Sequence, residues 1–219
     1  MDRRCFIKAA AGATIVSAAH GVSAAAAVDA GQPRQTEGKE TAMKTEIDVF
    51  DSVEMILKGL KSGVLLTTKA NGRVNSMAIS WGAIGIEWNK PIFTTFVRTG
   101  RFTRELLDAN GEFTVNIPTK GSDRSLISKC GTVSGRDVDK VAKFGLTLVD
   151  GEKVSVPAVK EFPITLECKL VYRQLQDKNA ISDEDKARFY PDLPSTNSGG
   201  NRDYHIAFCG EIVAAYILG

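Results

Sequence analysis

Four side chains in the run "RTGRFT", Arg98, Thr99, Arg101 and Thr103, bring two guanidiniums and two hydroxyls together just ahead of a helical pattern. Guanidinium forks, hydroxyls and the free backbone N–H groups of a helix start are the groups that hold a phosphate. A second group, Asn75, Ser76 and Ser80 of "NSMAISWG", puts small polar residues into a run that otherwise reads as a strand. Such a stretch can turn its N–H and C=O groups toward the edge of a flat heteroaromatic ring. Taken alone, each piece has a plainer reading: the polar face of an edge strand, and a capping box at "TRE" in the next helix. Taken together they describe a site for a ring that carries a phosphate.

Other chemistries are excluded by what the chain lacks. Its first residues, "MDRRCFIKAAAGATIVSAAHGVSAAAAVDAG", run from a basic start through a weakly apolar stretch to small residues, the pattern of a targeting segment. "DRRCFIK" resembles the twin-arginine export motif, Ser/Thr-Arg-Arg-x-Phe-Leu-Lys, and departs from it at Asp2 and Ile7. Cleavage is expected after Ala27 or after Ala30, and the protein is expected in the periplasm. Loss of residues 1–27 removes Arg3, Arg4, Lys8 and Asp2 and leaves 25 basic and 25 acidic residues. A balanced chain without a basic run offers nucleic acid no electrostatic footprint. Cleavage also removes His20, so His205 remains as the single histidine. No multi-histidine metal site can be built, and there is no Gly-x-Ser-x-Gly elbow to support a hydrolase triad. Cys130, Cys168 and Cys209 show no Cys-x-x-Cys spacing and read best as small buried residues. No span of uninterrupted apolar residues is long enough for a membrane helix.

The elements that must position these groups are legible in outline. Residues 28–45 read as a linker and 46–219 as one domain. "DSVEMILKGL" places Val53, Ile56, Leu57 and Leu60 at helical spacing, with Asp51 or Ser52 as cap. "GVLLTTK", "NGR" and "VNSMAISWG" form a strand, an Asn-Gly turn and a strand, and a second hairpin follows through "EWNKPIFTTFV". "TRELLDANG" reads as a helix stopped by Gly111, and "EFTVNIP" alternates as a strand. "DRSLISKCG" and "DVDKVAKFG" read as short helices, each ended by glycine. "FPITLECKLVYRQLQ" and "DYHIAFCGEIVAAYIL" are long strands, and the polar segment from Asp177 to Arg202 between them reads as a surface loop. Six or more strands without β-α-β alternation predict a mainly β fold, an antiparallel Greek-key-like barrel with helical insertions. Alternation in "RDYHIAFCGEI" places His205, Ala207 and Cys209 on one face and Tyr204, Ile206 and Phe208 on the other.

From about Lys61 to Tyr216 the chain resembles the flavin reductase-like family of FMN-binding split barrels, including flavoredoxin-type proteins. The resemblance rests on "NSMAISWG", "VRTGRFTREL" and "EFTVNIP", with Asn75, Met77, Ser80, Trp81, Arg98, Thr103 and Asn116 at matching places, and on "CGTVSGRDVDK", "LEC" and "HIAFCGEI". It implies a homodimer that binds FMN near the subunit interface. The ring edge would lie on the backbone of Asn75, Ser76, Met77, Ala78, Ile79, Ser80 and Trp81, and the phosphate on Arg98, Thr99, Arg101 and Thr103. Trp81 and Phe102 would exclude water. Ser134, Gly135 and His205 match residues near the flavin or nicotinamide, and His205 would be the catalytic group. The donor implied is NAD(P)H or a redox protein, and the acceptor a flavin or a protein. Export favours a donor other than NAD(P)H, and so an FMN electron-transfer protein without its own nicotinamide site is an alternative. A non-redox ligand-binding barrel is a third reading.

Overall fold

Two tight turns set the first half of the chain. Asn71 and Gly72 both have positive φ (51° and 73°), as a two-residue turn between right-twisted strands requires, and they join β2 (Val64–Ala70) to β3 (Arg73–Ile79). Trp88 and Asn89 do the same (51° and 56°) between β4 (Gly82–Glu87) and β5 (Lys90–Arg98). The computed structural model describes residues 42–194 and 200–219. The expected targeting segment and its cleavage sites lie outside the described residues, as does most of the expected linker.

The remaining strands of the main sheet are β1 (Lys44–Glu46), β6 (Glu112–Ile117), β9 (Ile164–Leu175) and β10 (His205–Leu218), while β7 (Leu148–Val149) and β8 (Ala158–Val159) pair apart from it. Pairing in the main sheet is antiparallel and follows the order β3-β2-β6-β9-β10-β5-β4, with β1 added to β10. The two ends of this path, β3 and β4, are joined by Ser80 and Trp81 alone. A seven-strand path whose ends lie two residues apart along the chain must curl round on itself, and β3 does not pair with β4. The result is a split antiparallel barrel, and the chain from β5 to β6 crosses the β9-β10 pair in the Greek-key manner expected.

Ile56 and Leu60 of α1 (Val53–Ser62) join Leu66, Phe93, Phe113, Leu166 and Phe208 of the strands in one buried core. A smaller core of Leu65, Leu126, Cys130 and Phe162 lies under α3 (Ser125–Thr132). Gly210 stands where the β9-β10 register shifts, and a Cβ there would lie 2.6 Å from the ring of Phe113. Glu167, fully buried on β9, accepts from the backbone N–H groups of Glu152 (2.7 Å), Lys153 (2.6 Å) and Val154 (3.2 Å) and from the Tyr216 hydroxyl (2.8 Å). It ties a loop to two central strands.

Several expectations need correction. Lys44 and Thr45, placed in the linker, already pair with Leu218 and Ile217. The helix α2 (Phe102–Ala109) ends before Asn110 and not at Gly111, and it has no capping box, because Arg101 holds the cap position without a side-chain bond. Glycine does not end α3, which runs through Gly131 to Thr132 because a small residue lets it approach Ala78 of β3. Gly145 does end α4 (Lys140–Phe144), in the left-handed conformation. The segment from Asp177 to Arg202 contains a 3-10 turn (Lys178–Ala180) and a helix, α5 (Asp183–Phe189). α5 is invisible to an apolar-stripe search because "DEDKARF" has no stripe, and capping holds it instead: the Ser182 hydroxyl accepts from the N–H of Asp185 at 3.1 Å.

Candidate functional site

The last residues of β3 have β2 on one side and no strand on the other. Against this open edge the structure brings the β5-α2 corner, the chain between α3 and α4, the end of α5 and the first residue of β10. Together they enclose a cavity of about 940 Å³. Most of the predicted residues meet there: Asn75, Met77, Ala78, Ile79, Ser80 and Trp81 along β3, Arg98, Arg101, Phe102 and Thr103 at the corner, then Ser134, Gly135 and His205.

Asn75 is 3% exposed, and its Nδ2 donates to the Thr103 hydroxyl at 2.8 Å. Its Oδ1 is buried without a hydrogen-bond partner. Gly135 makes this possible, since a Cβ at that position would collide with Asn75 Oδ1 and lie 2.9 Å from the Phe102 ring. A buried acceptor left unpaired is costly, on the order of 1 to 3 kcal/mol, unless a ligand supplies a donor. The backbone around Gly135 is fixed from outside: Arg73 Nη2 donates to the Gly135 carbonyl at 2.5 Å, and the Ser134 hydroxyl accepts from Arg136 N at 3.1 Å.

Three predicted residues lie elsewhere. The Ser76 hydroxyl is 2.8 Å from Thr67 Oγ1 in the sheet. Asn116 belongs to the same buried network: its Nδ2 donates to Thr67 Oγ1 (3.0 Å) and Thr114 Oγ1 (3.1 Å), and its Oδ1 accepts from Val159 N (2.9 Å). Val115 and Ile117 take the core, so alternation turns Asn116 to the other face of the sheet. Thr99 is used by its backbone, its N–H donating to Tyr204 O at 3.0 Å.

Arg98 lines the cavity, but its guanidinium is engaged by carbonyls between Phe189 and Asp203. Nη1 donates to the carbonyls of Asn201 (2.9 Å) and Asp203 (2.5 Å), and Nη2 to that of Phe189 (2.7 Å). These contacts make Arg98 a strut between the β5-α2 corner and that segment. Burial pulls the Arg98 and Arg101 guanidiniums below their ordinary range. Arg101 lines the cavity with Arg136 and Lys140, two cations the sequence reading left unassigned. Lys140 is 3% exposed and donates to the carbonyls of Ser76 (3.0 Å) and Cys130 (2.6 Å); burial pulls its ammonium down to about 8. Five basic residues and one acid, Asp137, line the cavity.

His205 is buried, and its ring centroid lies 5.0 Å from that of Trp81. Its Nδ1 is 2.8 Å from the hydroxyl of Tyr190. Burial, with Arg98 and Arg101 nearby, pushes the imidazole down to about 3, so it is neutral at ordinary pH. The expected alternation is seen, with Phe208 in the core and His205 on the cavity side. Phe189 packs edge-on against Trp81 at 5.0 Å. Cys130 lines the cavity with its thiol pushed up by burial, and the three described cysteines are free.

Residues 57–218, about three quarters of the chain, match the family described as the flavin reductase like domain. The chain belongs to this family. A flavoredoxin from Methanosarcina acetivorans is 28% identical and superposes with a TM-score of 0.52 over 71% of this chain and 67% of that one. An FMN-binding domain of a flavin reductases-like enzyme from Shewanella baltica, 18% identical with a TM-score of 0.57 over 81% and 78% of the two chains, shares the fold. Among curated sequences, an uncharacterized protein of Archaeoglobus fulgidus is 34% identical over 97 residues (44% of this chain, 54% of that protein). The uncharacterized protein YddH of Escherichia coli is 33% identical over 111 residues (49% and 58%). The chain spans little more than half the length of these two relatives.

Proposed function

We propose that the cavity binds FMN and that the protein is an FMN-dependent oxidoreductase. The observation that carries this reading is the unpaired, buried Asn75 Oδ1 packed against the bare backbone of Gly135, in a cavity whose charged lining residues are five cations and one acid. A ring N–H or ribityl O–H would satisfy the acceptor, and a phosphate dianion would balance the charge. In this reading Arg101 and Lys140 hold the phosphate, beside Arg136, which is itself tied to the Gly100 carbonyl and to Glu105, and the open edge from Met77 to Trp81, at and just after the end of β3, meets the ring. Trp81 and Phe102 keep water out, and Asn75 orients the ring. When bound, FMN supplies reversible two-electron transfer. His205, neutral and beside Trp81, is the side chain that meets the second reactant.

The donor is NAD(P)H or a reduced partner, and the acceptor a flavin or a protein. "DRRCFIK" favours a non-nicotinamide donor, because the twin-arginine route carries folded, loaded proteins out of the compartment that holds NAD(P)H. The protein is proposed to be periplasmic and a homodimer. Among the described residues no helix is long and apolar enough to cross a membrane. Purified protein should be yellow with about one FMN per chain; colourless protein that does not take up added FMN would end this reading. Stopped-flow mixing of loaded protein with NADH and NADPH separates a nicotinamide-using reductase from an electron-transfer protein, and sedimentation tests the dimer.

A further inference from the structure

Tyr190, in the segment from Asp177 to Arg202, reaches His205. Tyr190, which follows α5, stacks on Tyr204 (4.5 Å between ring centroids), carries the Arg98 guanidinium over its ring at 5.0 Å and sets its edge against His205 at 5.6 Å. These contacts fix its hydroxyl between two groups, Gln176 Oε1 and His205 Nδ1, each at 2.8 Å.

A hydroxyl has one hydrogen. The carboxamide oxygen of Gln176 only accepts, so the Tyr190 hydrogen goes to it. The 2.8 Å contact on the other side then needs a hydrogen from the imidazole, carried on Nδ1. A neutral imidazole has one N–H, and His205 is neutral at ordinary pH. Nε2 is therefore bare, on a ring that lines the cavity with Trp81 and Phe189.

We propose that Tyr190 is a positioning residue that holds the hydrogen of His205 on Nδ1, so that the cavity offers a bare Nε2 and prefers a ligand bearing O–H or N–H there over the same molecule methylated at that atom. The ligand half rests on reading this cavity as the reactant side of the flavin site. The tautomer half rests on the Gln176-Tyr190-His205 hydrogen-bond geometry together with the neutrality of the buried imidazole.

The test uses the ¹⁵N-labelled full chain, with the His205 signals assigned by their loss in His205→Gln. The wild type is expected to show a protonated Nδ1 and a pyridine-type Nε2. In Gln176→Leu the hydroxyl loses its acceptor and turns its hydrogen to Nδ1, so the imidazole hydrogen should move to Nε2. In Tyr190→Phe, which keeps the ring stack, both tautomers should appear. A wild type protonated on Nε2, or a Gln176→Leu tautomer unchanged, overturns the assignment.

Phenol and anisole, which differ by one methyl group on oxygen, are then titrated and followed through the His205 Nε2 shift, a readout that works with or without bound flavin. Phenol should bind about two- to tenfold more tightly than anisole to the wild type, the effect of one hydrogen bond, and the ratio should fall toward one in Gln176→Leu. Equal affinities in the wild type overturn the ligand half. Protein that takes up no FMN yet keeps the phenol preference would instead overturn the flavin reading.

Discussion

Lys140 holds a positive charge against two carbonyl oxygens, and it is among the most deeply buried cations of the site wall. Its folded value of about 8 lies below the ordinary 10.5, so between these pH values the unfolded chain binds more protons than the folded one. The destabilising contribution is complete below pH 8 and fades as the pH rises to about 10.5. Urea unfolding of Lys140→Met against wild type should therefore show the wild type gaining on the variant across that window; parallel curves would mean that the amine is not buried as described. Arg98 and Arg101 test the proposed division between a strut and a phosphate ligand. Arg101→Ala should weaken FMN more than riboflavin, by about tenfold or more, as expected for a charge-assisted bond to the phosphate. Arg98→Lys keeps the charge, cannot span three carbonyls, and should lower stability by about 2 to 3 kcal/mol while leaving the FMN to riboflavin ratio near that of wild type. The presence of Arg98 at this corner was legible in "RTGRFT", but its partners were not. They are carbonyls some ninety to a hundred residues further along the chain, and backbone oxygens leave no residue-type signature.

Elements with local causes could be read from the sequence, and those held by distant partners could not. The β2-β3 hairpin announces itself through Asn71-Gly72, and α1 through the spacing of Ile56 and Leu60. α5 has no apolar face, and its one local signal, Ser182 followed three residues later by Asp185, lay inside a segment whose composition reads as loop. The site was legible as a cluster on β3 and the β5-α2 corner. Asn116 was misplaced because the strand pattern tells which residues alternate and not which face a second core will cover. Glu167 shows the same limit, since "LEC" reads as a strand with one polar interruption while its four donors come from a loop and from β10. Glu167→Gln replaces an acceptor oxygen with an N–H₂ that faces donors. Its denaturant midpoint should fall by the equivalent of about 2 to 3 kcal/mol, and a neutral result would mean that the 152–154 loop rearranges without loss.

For the whole molecule the open question is where it works. Changing Arg3 and Arg4 together to Lys should leave uncleaved, flavin-loaded protein in the cytoplasm; normal appearance of the mature form outside would remove the twin-arginine assignment. The architecture adds a mechanical consequence. Ile79 and Gly82 close the sheet path through Ser80 and Trp81, three peptide steps that span at most about 11 Å. The slit can gape no wider than this short leash allows, and the leash is itself a wall of the cavity. Any widening of the slit at this end must therefore also move a wall of the cavity. Trp81, one of two tryptophans in the chain, sits on that link, so its fluorescence should report any change in the width of the slit there.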